Sequence, residues 1–231
     1  MIRILWLAVA LSACAYAPPR SNSDFGIDAP VADDGGDIIV TGDAGVDPPD
    51  APPGTTAITL AQTTGAGTVQ AIGCTINGGQ TISDSNWFRV FPLADYGASG
   101  SFTLTRVSFW VWKTQGTRIA TLSIGTYTGT FQSFAFQPSQ FTVVHQDTIT
   151  APATTPNGQL VTVILATPLV FDVSATPQIA IKLSTSNLLL GSNGGPQSAR
   201  GYFSSSTCNQ STSMPPRTDS FFILTAEGTT P

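Results

Sequence analysis

Charge is scarce in this chain: only 10% of its 231 residues are Asp, Glu, Lys or Arg, and Lys and Arg together number nine. So few cations cannot release many phosphate counterions, which excludes nucleic acid as a partner. Histidine occurs once, as His145, and cysteine three times, as Cys14, Cys74 and Cys208. Distant cysteines without a CxxC pair lack the spacing of a zinc site, so no metal centre is expected from them. A Gly-x-Ser-x-Gly elbow is missing, as are the Lys and Ser/Thr of a phosphate-binding loop. With no carboxylate pair in a recognisable context either, no catalytic residue is assigned and an enzyme is not expected. Long apolar runs are also lacking. The run Ile4–Leu11 is far short of the roughly 20 residues that span a bilayer as a helix.

The N-terminus nevertheless carries an address. Arg3, the apolar run and the small residues Ser12 and Ala13 form a short export signal over residues 1–13. The tetrapeptide Leu11-Ser12-Ala13-Cys14 resembles the lipobox of bacterial lipoproteins. That resemblance implies acylation of Cys14, which becomes the new N-terminus. Several acyl chains at about 0.8 kcal/mol per buried methylene give stable anchoring. The alternative is an ordinary secretory signal whose cleavage site contains a Cys. By resemblance to the lipoprotein sorting rule, Ala15 in place of an Asp implies the outer membrane, on its periplasmic or its extracellular face.

Residues 14–56 form an acidic tether. Eight Asp against one Arg, with Pro48, Pro49, Pro52 and Pro53 at its end, leave nothing to bury a core. As a linker its reach lies between about 35 Å for a Gly-like coil and about 130 Å for polyproline II. Aspartates in this stretch lack EF-hand spacing, so a solvated spacer is the better reading. It looks like the Asp- and Pro-rich spacers of myxobacterial and related lipoproteins, which implies display.

Residues 57–231 hold seven bases and six acids and show period-two alternation in short runs punctuated by Gly, Pro and Asn. Ten to twelve strands are expected, among them Thr68–Ile76, Asn86–Leu93, Phe102–Lys113, Gln159–Ala166, Leu169–Val173 and Ser220–Ala226. So many short strands argue for an all-β fold of two packed sheets, a β-sandwich of jelly-roll type. If Cys14 carries lipid, Cys74 and Cys208 remain, an even number that an oxidising compartment pairs; two buried thiols are the alternative. The series Ile72-Gly73-Cys74, Asn86 to Leu93, Val107-Ser108-Phe109, Leu190 to Asn193, Gly201-Tyr202, Cys208 and Asp219 to Gly228 resembles an all-β accessory domain of exported bacterial proteins. That resemblance implies a jelly roll with Cys74 and Cys208 joined, and brings no catalytic residue.

Three residues are the candidate ligand-binding set. In Phe102–Lys113, Val107, Phe109 and Val111 face one way, and Arg106, Ser108, Trp110 and Trp112 the other. With the aliphatic face in the core, Trp110 and Trp112 form an outer platform flanked by Arg106, suited to a sugar ring or an extended peptide. A covering loop is the alternative. Trp87 and Arg89 share a face, where Arg89 stacks on the indole or pairs with a carboxylate such as Asp84 or Asp95. His145 and Asp147 also share a face and need not touch. Asp84, Asp95 and Asp219 lie near strand ends where a structural Ca2+ would fit; no other cofactor is expected. The expected partners are the membrane, through Cys14, and a glycan or an envelope protein.

Overall fold

The computed structural model describes residues 38–41, 54–63, 70–153, 158–193, 197–210 and 221–231. All lie in the compact unit Gly35–Pro231; the other unit, Met1–Asp34, lies outside the described residues. The export signal, Cys14, most of the tether, Gly194-Gly195-Pro196 and Asp219 are likewise outside them.

Fifteen strands follow in chain order: β1 Ile38–Thr41, β2 Thr56–Leu60, β3 Gln70–Ile72, β4 Thr75–Ile76, β5 Thr81–Ile82, β6 Ser85–Pro92, β7 Ser101–Thr114, β8 Ile119–Tyr127, β9 Phe141–Thr150, β10 Gln159–Asp172, β11 Gln178–Thr185, β12 Leu188–Asn193, β13 Gly201–Ser204, β14 Phe221–Phe222 and β15 Leu224–Thr230. Eight of them make two antiparallel sheets in the orders β2-β15-β7-β10 and β6-β11-β8-β9. In chain order these eight strands cross repeatedly between the sheets, which is the jelly-roll wrap. The remaining strands decorate it: β12 continues the first sheet along the far end of β7 and carries β3 and β14, while β13 lies on β6.

Alternation puts the core between the sheets. Trp87 and Phe91 on β6, Leu122 and Ile124 on β8, and Ile179, Ile181 and Leu183 on β11 meet Phe102, Leu104, Val107, Phe109 and Val111 of β7, all fully buried. Each large apolar side chain so buried contributes about 1.5–3 kcal/mol. Strand β7 fills its core face with both even and odd residues because Thr105 is a bulge. Glu227 and Gly228 of β15 stand opposite Arg106 and Leu104, leaving Thr105 unpaired, and the side-chain parity flips there.

Several expected boundaries shift. Gln159–Ala166 and Leu169–Val173 are one strand, β10, which runs through Pro168 because a register shift between Ile164 and Leu169 loops the proline out. Thr68–Ile76 breaks at Gly73-Cys74, and Ser220–Ala226 splits into β14 and the longer β15. The tether is also not wholly without structure: its Ile38–Thr41 pairs in parallel with Val161–Ile164 of β10. Those four residues are its one β-branched run, and β10 offers them a sheet edge.

A second cluster lies on the outer face of the five-stranded sheet. The loop between β8 and β9 folds back so that Phe136 is stacked between Phe88 (4.4 Å between centroids) and Tyr127 (4.7 Å), with Phe141 and Tyr202 at its edges. Two phenols hold the loop: the Tyr127 hydroxyl accepts from the Gln137 N–H (3.2 Å) and the Tyr202 hydroxyl donates to the Ser133 carbonyl (3.0 Å). Strand β6 is therefore dry on both faces.

Candidate functional site

The bulge at Thr105 aims Arg106, Ser108, Trp110 and Trp112 outward on one row of the central strand β7. On one flank β10 sets Ile164, Thr162 and Leu160 opposite Arg106, Ser108 and Trp110. On the other β15 sets Glu227 and Thr225 opposite Arg106 and Ser108. Arg106 is committed on this face: its Nε donates to Glu227 Oε2 at 2.7 Å, and its Nη2 lies 2.5 Å from the same oxygen. Both side chains remain about a third exposed (38% and 31%), so the pair contributes little stability and chiefly cancels charge. The hydroxyls of Ser108 and Thr162 lie 2.9 Å apart beside it.

Trp110 and Trp112 are half-buried, which falls between an open platform and a covered one. Gly158 lies over Trp110. Its φ of +73° suits glycine, and a Cβ there would sit 2.6 Å from Trp110 Nε1 and 3.0 Å from the Trp112 Cα. The Trp110 Nε1 donor is buried with no hydrogen-bond partner among the described residues. Arg106, Trp110 and Trp112 thus share one face in the order expected, with the ion pair at one end and the indoles at the other.

Asp84 ties loops of the fold together. Asp84 lies beside the Cys74–Cys208 disulfide, whose Cα atoms are 5.9 Å apart, and grips the turn after β13. Its carboxylate accepts from Ser206 N (2.7 Å), Ser206 Oγ (3.0 Å), Thr207 N (3.0 Å) and Ser205 Oγ (3.2 Å). Desolvation opposes ionisation here, but the Thr207 and Ser206 donors outweigh it and hold the carboxyl well below the usual range. Both oxygens are thereby engaged within the protein. Asp95 is exposed on the short 3-10 helix Leu93–Tyr96, and no group of three or more His, Cys, Asp or Glu suited to a metal is assembled among the described residues.

The indole stack and the pairing with Asp84 or Asp95 that its sequence context offered for Arg89 are both replaced: its ring partner is Phe222 and its hydrogen-bond partners carry no charge. Arg89 is fully buried, and its partners are neutral: Gln197 Oε1 (2.7 Å), the Phe222 carbonyl (2.8 Å), Gln62 Oε1 (3.2 Å) and the Ala199 carbonyl (3.3 Å). Its guanidinium stacks over the Phe222 ring at 4.4 Å, under Gly201, where a Cβ would come within 2.8 Å of that ring. Burial pushes the guanidinium down from its ordinary value, and the nearby Tyr96 opposes this. The Gly191-Ser192-Asn193 stretch is buried strand in β12. His145 and Asp147 do touch, Nε2 to Oδ2 at 2.7 Å on β9, and no serine or cysteine joins them among the described residues.

No family model matches the chain, and no curated protein matches it. Among solved structures it is similar to the VP2 subviral particle of infectious bursal disease virus, with 13% identity, a TM-score of 0.26, and 81% of this chain and 45% of that chain covered. A mutant VP2 of the same virus, in derived T=1 particles, gives 15% identity and a TM-score of 0.22 over 81% of this chain and 43% of that one. The chain therefore spans less than half the length of either. Its fold assignment rests on its own strand order.

Proposed function

We propose that this protein is a binding module, held on the outer membrane by lipid at Cys14, whose β7 face takes a glycan or another extracellular polymer. The supporting observation is the row Arg106–Ser108–Trp110–Trp112. Two half-exposed indoles about 6.5–7 Å apart along a strand present apolar area for a pyranose face. The half-buried Thr162 hydroxyl, held 2.9 Å from that of the buried Ser108, supplies a polar contact beside them. Since Glu227 cancels Arg106, the face suits a neutral polymer better than an acidic one.

A panel of neutral and acidic polysaccharides, with calcium and with chelator, tests this reading. Saturable binding lost in Trp112→Ala and weakened in Trp110→Ala, with folding intact, is the expected result. Binding that ignores both substitutions refutes it. Anchoring is tested separately, because a fatty-acid analogue should label the wild type and not Cys14→Ala.

A second reading, an envelope component docking a protein partner, is favoured by one different observation. The edge strand β9 exposes Val143 (46%) and Val144 (51%), and the loop before it exposes Phe134 (66%). Crosslinking in intact cells that captures a partner through β9, with no polysaccharide bound, would select it.

A further inference from the structure

The jelly-roll wrap leaves four edge strands, β2, β6, β9 and β10, and strands outside the wrap cover two of them: β13 on β6 and β1 on β10. The β1 pairing differs from the rest. It is parallel in an otherwise antiparallel sheet, and its four residues come from a stretch rich in Pro, Gly, Ala and Asp.

Backbone directions on β10 follow from the register. Trp110 donates its N–H to the Ile223 carbonyl at 3.2 Å, away from β10. By alternation Phe109 and Val107 turn toward β10 and bond Val161 and Val163, the residues opposite them. Thr162 and Ile164 therefore turn their N–H and C=O groups outward, to β1. These are the groups an uncovered edge would leave open to any extended chain. The contact offers no charge to either side, since Ile38-Ile39-Val40-Thr41 lies along Val161-Thr162-Val163-Ile164.

Occupancy is not enforced by strain. From β1 to β2 the sheet is four strand spacings wide, about 19 Å. The fourteen residues between Thr41 and Thr56 reach up to about 46 Å. Four parallel pairs form a short ladder of the weaker kind, and the eight-stranded wrap is complete without it. Any copy of the segment held nearby satisfies the same edge equally well.

We propose that the edge of β10 is a strand-acceptor site filled by the chain's own Ile38–Thr41, and that the same segment of a second copy fills it when the resident strand is withdrawn. The recognised chemistry is an extended, uncharged, β-branched strand aligned parallel to β10. The proposal is independent of the polymer-binding reading.

The test uses the full chain and residue-resolved amide exchange. Ile39→Pro/Val40→Pro disables the strand, because one of the two prolines removes a donor facing β10 whichever way the strand is turned. In that variant the Thr162 and Ile164 amides should exchange more than tenfold faster, while those of Val161 and Val163, bonded to β7, stay unchanged. A peptide of residues 36–43 should restore slow exchange, and a scrambled peptide should not. Thr162→Pro is the complement: it blocks the edge, loses the Ser108–Thr162 hydroxyl contact but spares the backbone bonds to β7, and leaves its own strand free. Mixed one to one, the two variants should sediment as a heterodimer that neither forms alone. Equal exchange in wild type and double variant overturns the resident strand. Failure of both peptide and mixture, with exchange behaving as stated, overturns the second-copy occupant.

Discussion

Replacing Arg89 by methionine tests whether hydrogen bonds or charge burial governs the closed end of the sandwich. Two effects oppose each other. Removing an unpaired buried guanidinium relieves a desolvation cost of several kcal/mol, and exchanging a whole buried ion pair for apolar groups is often neutral or stabilising. Here, however, only one partner leaves. The carbonyl oxygens of Ala199 and Phe222 and the Oε1 of Gln62 stay behind, on residues no more than 7% exposed. Each orphaned buried acceptor costs about 1–3 kcal/mol. Gln197 is half-buried and can turn to water. Three stranded acceptors at about 1–3 kcal/mol each outweigh the relief, and we expect a net loss of about 3 kcal/mol. With a urea slope of about 2 kcal/mol/M, the unfolding midpoint should fall by roughly 1.5 M at unchanged slope. Arg89→Lys should lose nearly as much, because one ammonium cannot reach all four acceptors. A methionine variant as stable as the wild type, or more so, would refute the reasoning and show that charge burial dominates.

Three further outcomes are expected. Cys74→Ser/Cys208→Ser removes a bond closing a separation of 134 residues, worth up to about 5 kcal/mol in the chain-entropy model, and should lower the midpoint measured against oxidised wild type. Asp84 has a depressed value in the fold, so its contribution is complete above the unfolded value of about 3.9 and fades as pH falls through the folded one. The stability gap between wild type and Asp84→Asn should therefore be constant from pH 5 to 7 and shrink below about pH 4; a gap that widens in acid would contradict this. Phe136→Ala empties a slot between two stacked rings and should cost about 3–5 kcal/mol in urea unfolding, while leaving polysaccharide binding on the opposite sheet unchanged.

What could be read in advance was whatever local pattern encodes. Val107, Phe109 and Val111 announce a core face through alternation alone, and the even number left once Cys14 is set aside made Cys74 and Cys208 the expected pair, with two buried thiols as the alternative; the structure joins them. The bulge at Thr105 was not legible, because both Leu104 and Val107 look like core and the registers of β15 and β10 alone show where the parity changes. Arg89 gave no sign of its partners, which come from residues 62, 197, 199 and 222, and no nearby carboxylate marks the site. Ile38–Thr41 was hidden by its surroundings: a four-residue run inside a Pro- and Asp-rich stretch becomes a strand only when a distant edge receives it. On the candidate face, alternation gave the direction of Trp110 and Trp112 and left a covering loop as the alternative, but nothing local named Gly158 as the residue lying across one of them.

The position of β15 governs how such a chain can reach its native state. This strand, the last of the fifteen to be made, lies between β2 and β7 in the middle of its sheet. Until it arrives β2 has no strand partner among the described residues, since β15 is the strand it pairs with. The first half of the chain cannot bank a finished subdomain while the rest is being synthesised, because its central seam is still open. Contacts across such sequence distances make folding slow, in the range of milliseconds to seconds for sandwich topologies. Completion is then one late closure around β15, and a ribosome-bound chain lacking that strand should remain fully accessible to protease.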